Sequence, residues 1–413
     1  MLVAGNSFHF PPCCTRFGSL LVTGTSLQRV KMTASFQFDF DTVTDRHASS
    51  SLKWDHYKDQ DILPMWVADM DFASPPAVLA ALHERVQHGV FGYTLAPDSL
   101  LEAVLVHLEQ QYSWQVQPEW LVWLPGLVSG LNAVCRGVAG AGEEVITFTP
   151  IYPPFMSAPE LMGRKTVRVP LAENGQRWTM DLEALAAAIT PQTKLLLLCS
   201  PHNPVGRVWS RDELLGLGEL ACKHDLIICS DEIHADLVLD TDKKHLPLAS
   251  LDPEISRRTI TLQAPSKTYN IPGLGCSYAV VSEPALRLRL QRGMEGIVPH
   301  VNALGYVAAE AAYRHGEPWR QALISYLRAN RELLMHFIDG IPGLVVSPVE
   351  ATYLAWIDLR ERGIERPQQF FEQAGVGLSG GRSFDLPGFV RLNFGCPRLL
   401  LEKALARMER VLR

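Results

Sequence analysis

Several runs of this chain are continuously apolar instead of alternating apolar with polar, and this constrains the fold more than any other feature. Residues 193–199 read TKLLLLC, 225–229 DLIIC and 276–281 CSYAVV. A strand with one wet face alternates, whereas a strand covered on both faces does not. Helical patterns lie between the runs. Residues 76–88 (PAVLAALHERVQH) carry apolar positions at helical spacing with a proline just inside the start. Strands are expected at 120–124, 144–149, 194–199, 226–230, 258–262 and 276–281, and helices at 127–138 and 211–224. The alternation implies an α/β fold: a mostly parallel sheet with helices on both sides.

Beyond residue 300 the pattern changes. One long helical region is expected at about 300–338, followed by a smaller αβ segment with strands at 352–358 and 389–394. We divide the chain into a large domain at 76–300 and a smaller domain that combines 33–75 with 301–413. Residues 1–31 contain no Asp or Glu, and their apolar part is broken by Pro11, Pro12 and Gly18. Natural translation is expected to begin at Met32, with residues 1–31 an upstream extension, and residues 1–32 are expected to be disordered.

Charge and composition exclude several function classes. The net charge of −6 argues against a nucleic-acid partner. No apolar stretch approaches the length of a membrane span. The eight cysteines lack zinc spacing and the density of a secreted disulfide scaffold, so a reducing cytoplasm is expected. Gly140-Ala141-Gly142 precedes a strand and is not a dinucleotide fingerprint. In Gly126-Leu127-Val128-Ser129-Gly130 the serine falls one place too late for a nucleophile elbow.

Four polar motifs follow expected strands, where ligands of open α/β sheets sit. They are Pro125-Gly126-Leu127-Val128, Ser200-Pro201-His202-Asn203, Asp231-Glu232-Ile233-His234 and Ala264-Pro265-Ser266-Lys267. Each alone has an ordinary explanation: a strand-end Asp caps a helix, a Lys is solvated and Asn-Pro makes a turn. Together they supply other chemistry. A glycine turn into a helix presents free N–H groups to phosphate. A carboxylate favours a protonated ring nitrogen, an amide donates to a phenolate, and a lysine in a closed pocket condenses with an aldehyde.

SPHNPVGRVW, SDEIHADL and APSKTYNIPGLG resemble the three cofactor segments of the class I/II aminotransferase superfamily, the pyridoxal 5′-phosphate fold-type I enzymes. LKWD, LPMWVADMDF and FGYT narrow the resemblance to the MalY/PatB subfamily of cystathionine β-lyases and related carbon–sulfur lyases. The resemblance covers about residues 38–413. It implies a large domain with a mostly parallel sheet plus a smaller αβ domain, and a pyridoxal 5′-phosphate cofactor.

It also implies roles for individual residues. Lys267 would join the cofactor covalently and then move protons, Asp231 would bind the ring nitrogen, and Asn203 the ring's 3-oxygen, with His234 close by. Tyr152 would stack on the ring, and backbone N–H groups of Leu127 and Val128 would hold the phosphate with Ser266. Arg391 would clamp the substrate carboxylate, and Trp66 and Ala68 would line the substrate entrance. Tyr93 would reach into a partner subunit, so a homodimer is expected. Taken without the resemblance, Tyr152 could brace a turn, Trp66 could be core and Arg391 could be a structural ion pair. Where many aminotransferases carry a phosphate-binding arginine eight residues after the lysine, this chain has Gly275.

The expected reaction is α,β-elimination from cystathionine or a cysteine-like amino acid, giving thiol, pyruvate and ammonia. Two alternatives stay open at this point: transamination by the same residues, and a regulatory role through binding another protein.

Overall fold

The computed structural model describes residues 38–175 and 177–413. The expectation for residues 1–32 lies outside them. The large sheet has seven strands: β1 Leu121–Leu124, β2 Glu144–Thr149, β3 Lys165–Pro170, β4 Thr193–Cys199, β5 Ile227–Asp231, β6 Thr259–Gln263 and β7 Ser277–Val280. Their spatial order is β1-β7-β6-β5-β4-β2-β3. Neighbours from β6 to β3 pair in parallel, and β7 alone runs antiparallel to both of its neighbours.

The continuous apolar runs have a direct structural cause. Leu195 and Leu197 of β4 pack into one core cluster, with Leu131 and Val134 of helix Leu127–Val138. Leu196 and Leu198 pack into the opposite cluster, with Leu214 and Leu217 of helix Arg211–Lys223. Successive side chains point to opposite faces, and both faces are dry. Burial of each such leucine stabilises the fold by roughly 1.5–3 kcal/mol.

The smaller sheet has four strands, β8 Val345–Val346, β9 Leu354–Asp358, β10 Ser379–Gly380 and β11 Phe389–Asn393, in the order β8-β9-β11-β10. All its pairings are antiparallel. Val390 and Leu392 of β11 enter the apolar core on one face of this sheet. Arg391 therefore projects from the other face, toward the large sheet. The N-terminal segment joins the same region, because Leu63–Pro64 pairs in parallel with Val376–Gly377.

The expected single helical region near 300–338 is two helices, Ala303–His315 and Glu317–Asp339. Gly316 separates them, and a Cβ there would lie 2.5 Å from the Tyr269 ring. Pro318 then takes a first-turn position of the second helix, where its missing N–H costs nothing. Strands β5 and β6 each run one residue further than expected, so Asp231 ends β5 instead of following it. Among the described residues no helix is long and apolar enough to cross a membrane.

Candidate active site

A cavity of about 410 Å³ lies at the carboxyl ends of β4, β5 and β6. Ala68, Leu127, Val128, Tyr152, Asn203, Asp231, His234, Ser266, Lys267 and Arg391 all line it, residues drawn from segments far apart in sequence. Trp66 and Tyr93 do not. The Trp66 indole turns away, donating from Nε1 to Lys53 O at 3.1 Å and packing against His56. What Trp66 brings to the site is its carbonyl oxygen, which accepts from Arg391 Nη2 at 2.8 Å. Tyr93 is fully exposed, beside exposed Phe91 and Leu95.

The floor of the cavity is charged. Asp231 is buried, and Ile233 N donates to its Oδ1 at 3.1 Å. Burial without a cationic partner in contact pushes its carboxyl up to about 7. Lys267 Nζ donates to Ala68 O at 2.6 Å. Burial first, and then the nearby Arg391 charge, pulls the Lys267 amine down to about 8 despite Asp69 and Asp231. His234 is buried with no partner for Nδ1 among the described residues, and burial followed by the charges of Lys267 and Arg391 pushes it down to about 3. It is neutral at physiological pH.

Arg391 is 4% exposed and forms no carboxylate ion pair among the described residues. Its Nη1 donates to Asn203 Oδ1 at 3.0 Å, its guanidinium lies 4.8 Å from the Phe384 ring centroid, and its Nε lacks a partner. A buried cation with an unused donor is the arrangement that an incoming carboxylate satisfies. Burial lowers its pKa only to about 10, so the charge remains. The contact with Arg391 also fixes the Asn203 amide, with the oxygen toward the guanidinium and the NH₂ available for donation.

At the opposite end, helix Leu127–Val138 begins after Gly126 with no side-chain cap. Its first-turn N–H groups are free for an anion, and a Cβ on Gly126 would meet nothing within 4 Å. Gly275 also lines this end. Its φ of +59° is left-handed, and a Cβ there would lie 3.0 Å from Pro125 O. The absent arginine thus has a backbone reason: a side chain at Gly275 is strained and crowded.

The LKWD and ADMDF motifs are a clasp. Asp71 is buried, and its oxygens accept from Lys53 Nζ at 2.7 Å, Trp54 Nε1 at 2.8 Å and Arg46 Nη1 at 2.7 Å. The clasp and Asn393, whose Nδ2 donates to Val67 O and Asp69 O at 2.7 Å, hold residues 66–70 as a ribbon, bent at Val67 and Ala68, along the cavity. Sequence reasoning missed Tyr353, which is buried just before the small-sheet strand Leu354–Asp358 and donates from its hydroxyl to Ala68 O at 3.0 Å. The available signal was a tyrosine in the apolar strand TYLAWID, since a buried phenol must find an acceptor.

These residues fit pyridoxal 5′-phosphate. The uncapped helix start and Ser266 suit its phosphate, Asp231 its ring nitrogen, the Asn203 amide its phenolate and the Lys267 amine its aldehyde. Asp231, buried with no cation in contact among the described residues, is the observation that speaks most directly for a protonated ring.

A family model described as aminotransferase class I and II matches residues 60–408. The cystathionine β-lyase PatB of Bacillus subtilis (strain 168) is 37% identical over 390 residues, 91% of this chain and 100% of that protein. The crystal structure of OvoB superposes with a TM-score of 0.89 at 48% identity, covering 91% of this chain and 99% of that one. Cystalysin from Treponema denticola, whose structure contains pyridoxal 5′-phosphate, gives a TM-score of 0.88 at 31% identity, covering 91% and 99%.

Proposed function

The chain belongs to the class I and II aminotransferase family, and from that premise we propose that it is a pyridoxal 5′-phosphate-dependent carbon–sulfur β-lyase. Its substrates are cystathionine or cysteine-like amino acids with sulfur on Cβ, and with one water consumed its products are a thiol, pyruvate and ammonia. The observation that carries this is Arg391: a buried guanidinium without a carboxylate partner among the described residues, in one cavity with Lys267 and Asp231. Full-length similarity to a cystathionine β-lyase selects elimination among the reactions such a site supports.

When bound, the cofactor supplies an aldehyde that captures the amino group and a ring that accepts the electron pair left when the Cα–H bond breaks. The residues do the rest. Arg391 grips the substrate carboxylate through a bidentate pair and so orients Cα. Asp231 would hold a proton on the ring nitrogen, and the Asn203 NH₂ would donate to the ring oxygen. Lys267 would take the Cα proton; an amine pulled down to about 8 is well matched to that task near neutral pH. Uncharged His234 can sit beside the ring without opposing either cation.

A homodimer is part of the proposal. Exposed Phe91, Tyr93 and Leu95 form an apolar group that a second subunit would cover, bringing Tyr93 to its active site. Cys135, Cys199, Cys222, Cys229, Cys276 and Cys396 are free thiols, which supports a reducing cytoplasm. The test is to incubate the enzyme with cystathionine, cysteine and alanine and to assay pyruvate, thiol and keto acids. Thiol and pyruvate from the sulfur substrates are expected. Amino-group transfer to a keto acid without thiol release would overturn the proposal.

A further inference from the structure

Five consecutive backbone carbonyls, Trp66 to Met70, each accept two hydrogen bonds. Trp66 O takes Arg391 Nη2 and Ser379 Oγ; Val67 O takes Asn393 Nδ2 and Asp69 N. Asp69 O takes Asn393 Nδ2 and Lys53 Nζ, and Met70 O takes Arg46 Nη1 and Asn270 Nδ2. The middle carbonyl, Ala68 O, takes Lys267 Nζ at 2.6 Å and Tyr353 Oη at 3.0 Å. A carbonyl oxygen has two lone pairs, so Tyr353 and Lys267 share one saturated acceptor.

We propose that Tyr353 is a positioning residue for the lysine: by donating to Ala68 O it weakens that carbonyl's hold on the Lys267 ammonium and keeps the amine available. This rests on the reading of Lys267 as the residue that joins the cofactor and moves the Cα proton. Two donors on one oxygen compete for its electron density, so each bond is weaker than it would be alone. Tyr353 is 1% exposed, its hydroxyl makes no other hydrogen bond among the described residues, and burial raises its phenol well above the ordinary range. It remains a donor at every working pH. The carbonyl itself does not depend on Tyr353 for its place, because the flanking carbonyls are tied by Arg391, Asn393 and Lys53. Removing the phenol oxygen therefore changes the acceptor strength and leaves the ribbon standing. Asp231, Asp69, Arg391 and His234 also face the Lys267 charge, and all remain in a Tyr353→Phe protein.

The test uses the full-length protein freed of cofactor. Lys267 is acylated with trace reagent across a pH series, and the labelled peptide is quantified by mass spectrometry. Tyr353→Phe should raise the labelling midpoint of Lys267 by roughly half a unit to one unit, leaving about three- to tenfold less free amine at a given pH below the midpoint. Lys53, tied to the same ribbon, serves as the structural control and should stay protected in both proteins. A midpoint that stays or falls overturns the proposal, and so does exposure of Lys53 alongside a shift, since that reports loosening. If the Phe variant does not fold, 3-fluorotyrosine at position 353, a stronger donor, decides: the midpoint must fall. Borohydride trapping of cofactor on wild-type Lys267 separates the two readings. Its failure removes the cofactor assignment, while the labelling midpoint still judges the role of Tyr353.

Discussion

Arg391 Nη1 donates to Asn203 Oδ1 across 3.0 Å, linking residues 188 positions apart. The bond joins the small sheet to the loop after a large-sheet strand, and in the proposed site it makes Arg391 orient the amide meant for the ring oxygen. Arg391→Lys should therefore damage two functions. Loss of the bidentate grip and of one charge-assisted bond is worth about 1.5–3 kcal/mol, so the KM for cystathionine should rise roughly 10- to 100-fold. The absorption of bound cofactor should also shift, as Asn203 loses its anchor. Steady-state kinetics with a pH-dependent spectrum check both.

Asp231 predicts an unusual stability profile for the cofactor-free protein. Its folded carboxyl is pushed up to about 7, above the ordinary carboxylate value, so the folded chain holds its proton more tightly than the unfolded chain. The stability it contributes is full below the unfolded value near 4 and is lost as pH rises through about 7. Asp231→Asn should remove that loss. At pH 8 the variant without cofactor should be more stable than wild type, by on the order of a few kcal/mol, yet nearly inactive when loaded. Thermal melts of both proteins between pH 4 and pH 8 give the comparison.

Gly275→Arg restores the side chain that many aminotransferases carry there, and it should not improve cofactor binding. The left-handed φ of +59° and the 3.0 Å approach to Pro125 O oppose any Cβ. A destabilisation of about 1–3 kcal/mol is expected. Denaturant melts with and without cofactor measure it, and tighter binding of cofactor by this variant would contradict the steric account.

The clasp at Asp71 should carry weight out of proportion to its distance from the chemistry. Lys53→Met leaves a buried carboxylate with Arg46 and Trp54 but without its fully buried ammonium. A loss of about 3–5 kcal/mol is expected. Activity should fall too, because Lys53 also holds Asp69 O beside the carbonyl that receives Lys267. Chemical denaturation and kcat measured on the same preparations test both effects.

The strands were legible because a dry strand needs apolar side chains on both faces, and β4 writes this as four consecutive leucines. The site was legible where function rests on side chains at strand ends, and Lys267, Asp231, Asn203 and Arg391 do line one cavity. What escaped rests on backbone. The ribbon from Trp66 to Met70 acts through carbonyl oxygens, which every residue possesses and no side chain announces. Trp66 was expected at the substrate entrance, but its indole bonds to Lys53 O and only its carbonyl reaches Arg391. The division at Gly316 was hidden because the apolar periodicity continues across it; the reason for it is a Tyr269 ring distant in sequence. Tyr353 sits among apolar strand residues, and only the fold brings its hydroxyl to Ala68 O.

The most direct test is to reduce freshly reconstituted protein with borohydride and map the modified peptide by mass spectrometry. A single pyridoxyl-phosphate adduct on Lys267 is predicted, absent from Lys267→Ala. An adduct on another lysine, or none at all, would contradict the assignment of this cavity and the chemistry built on it.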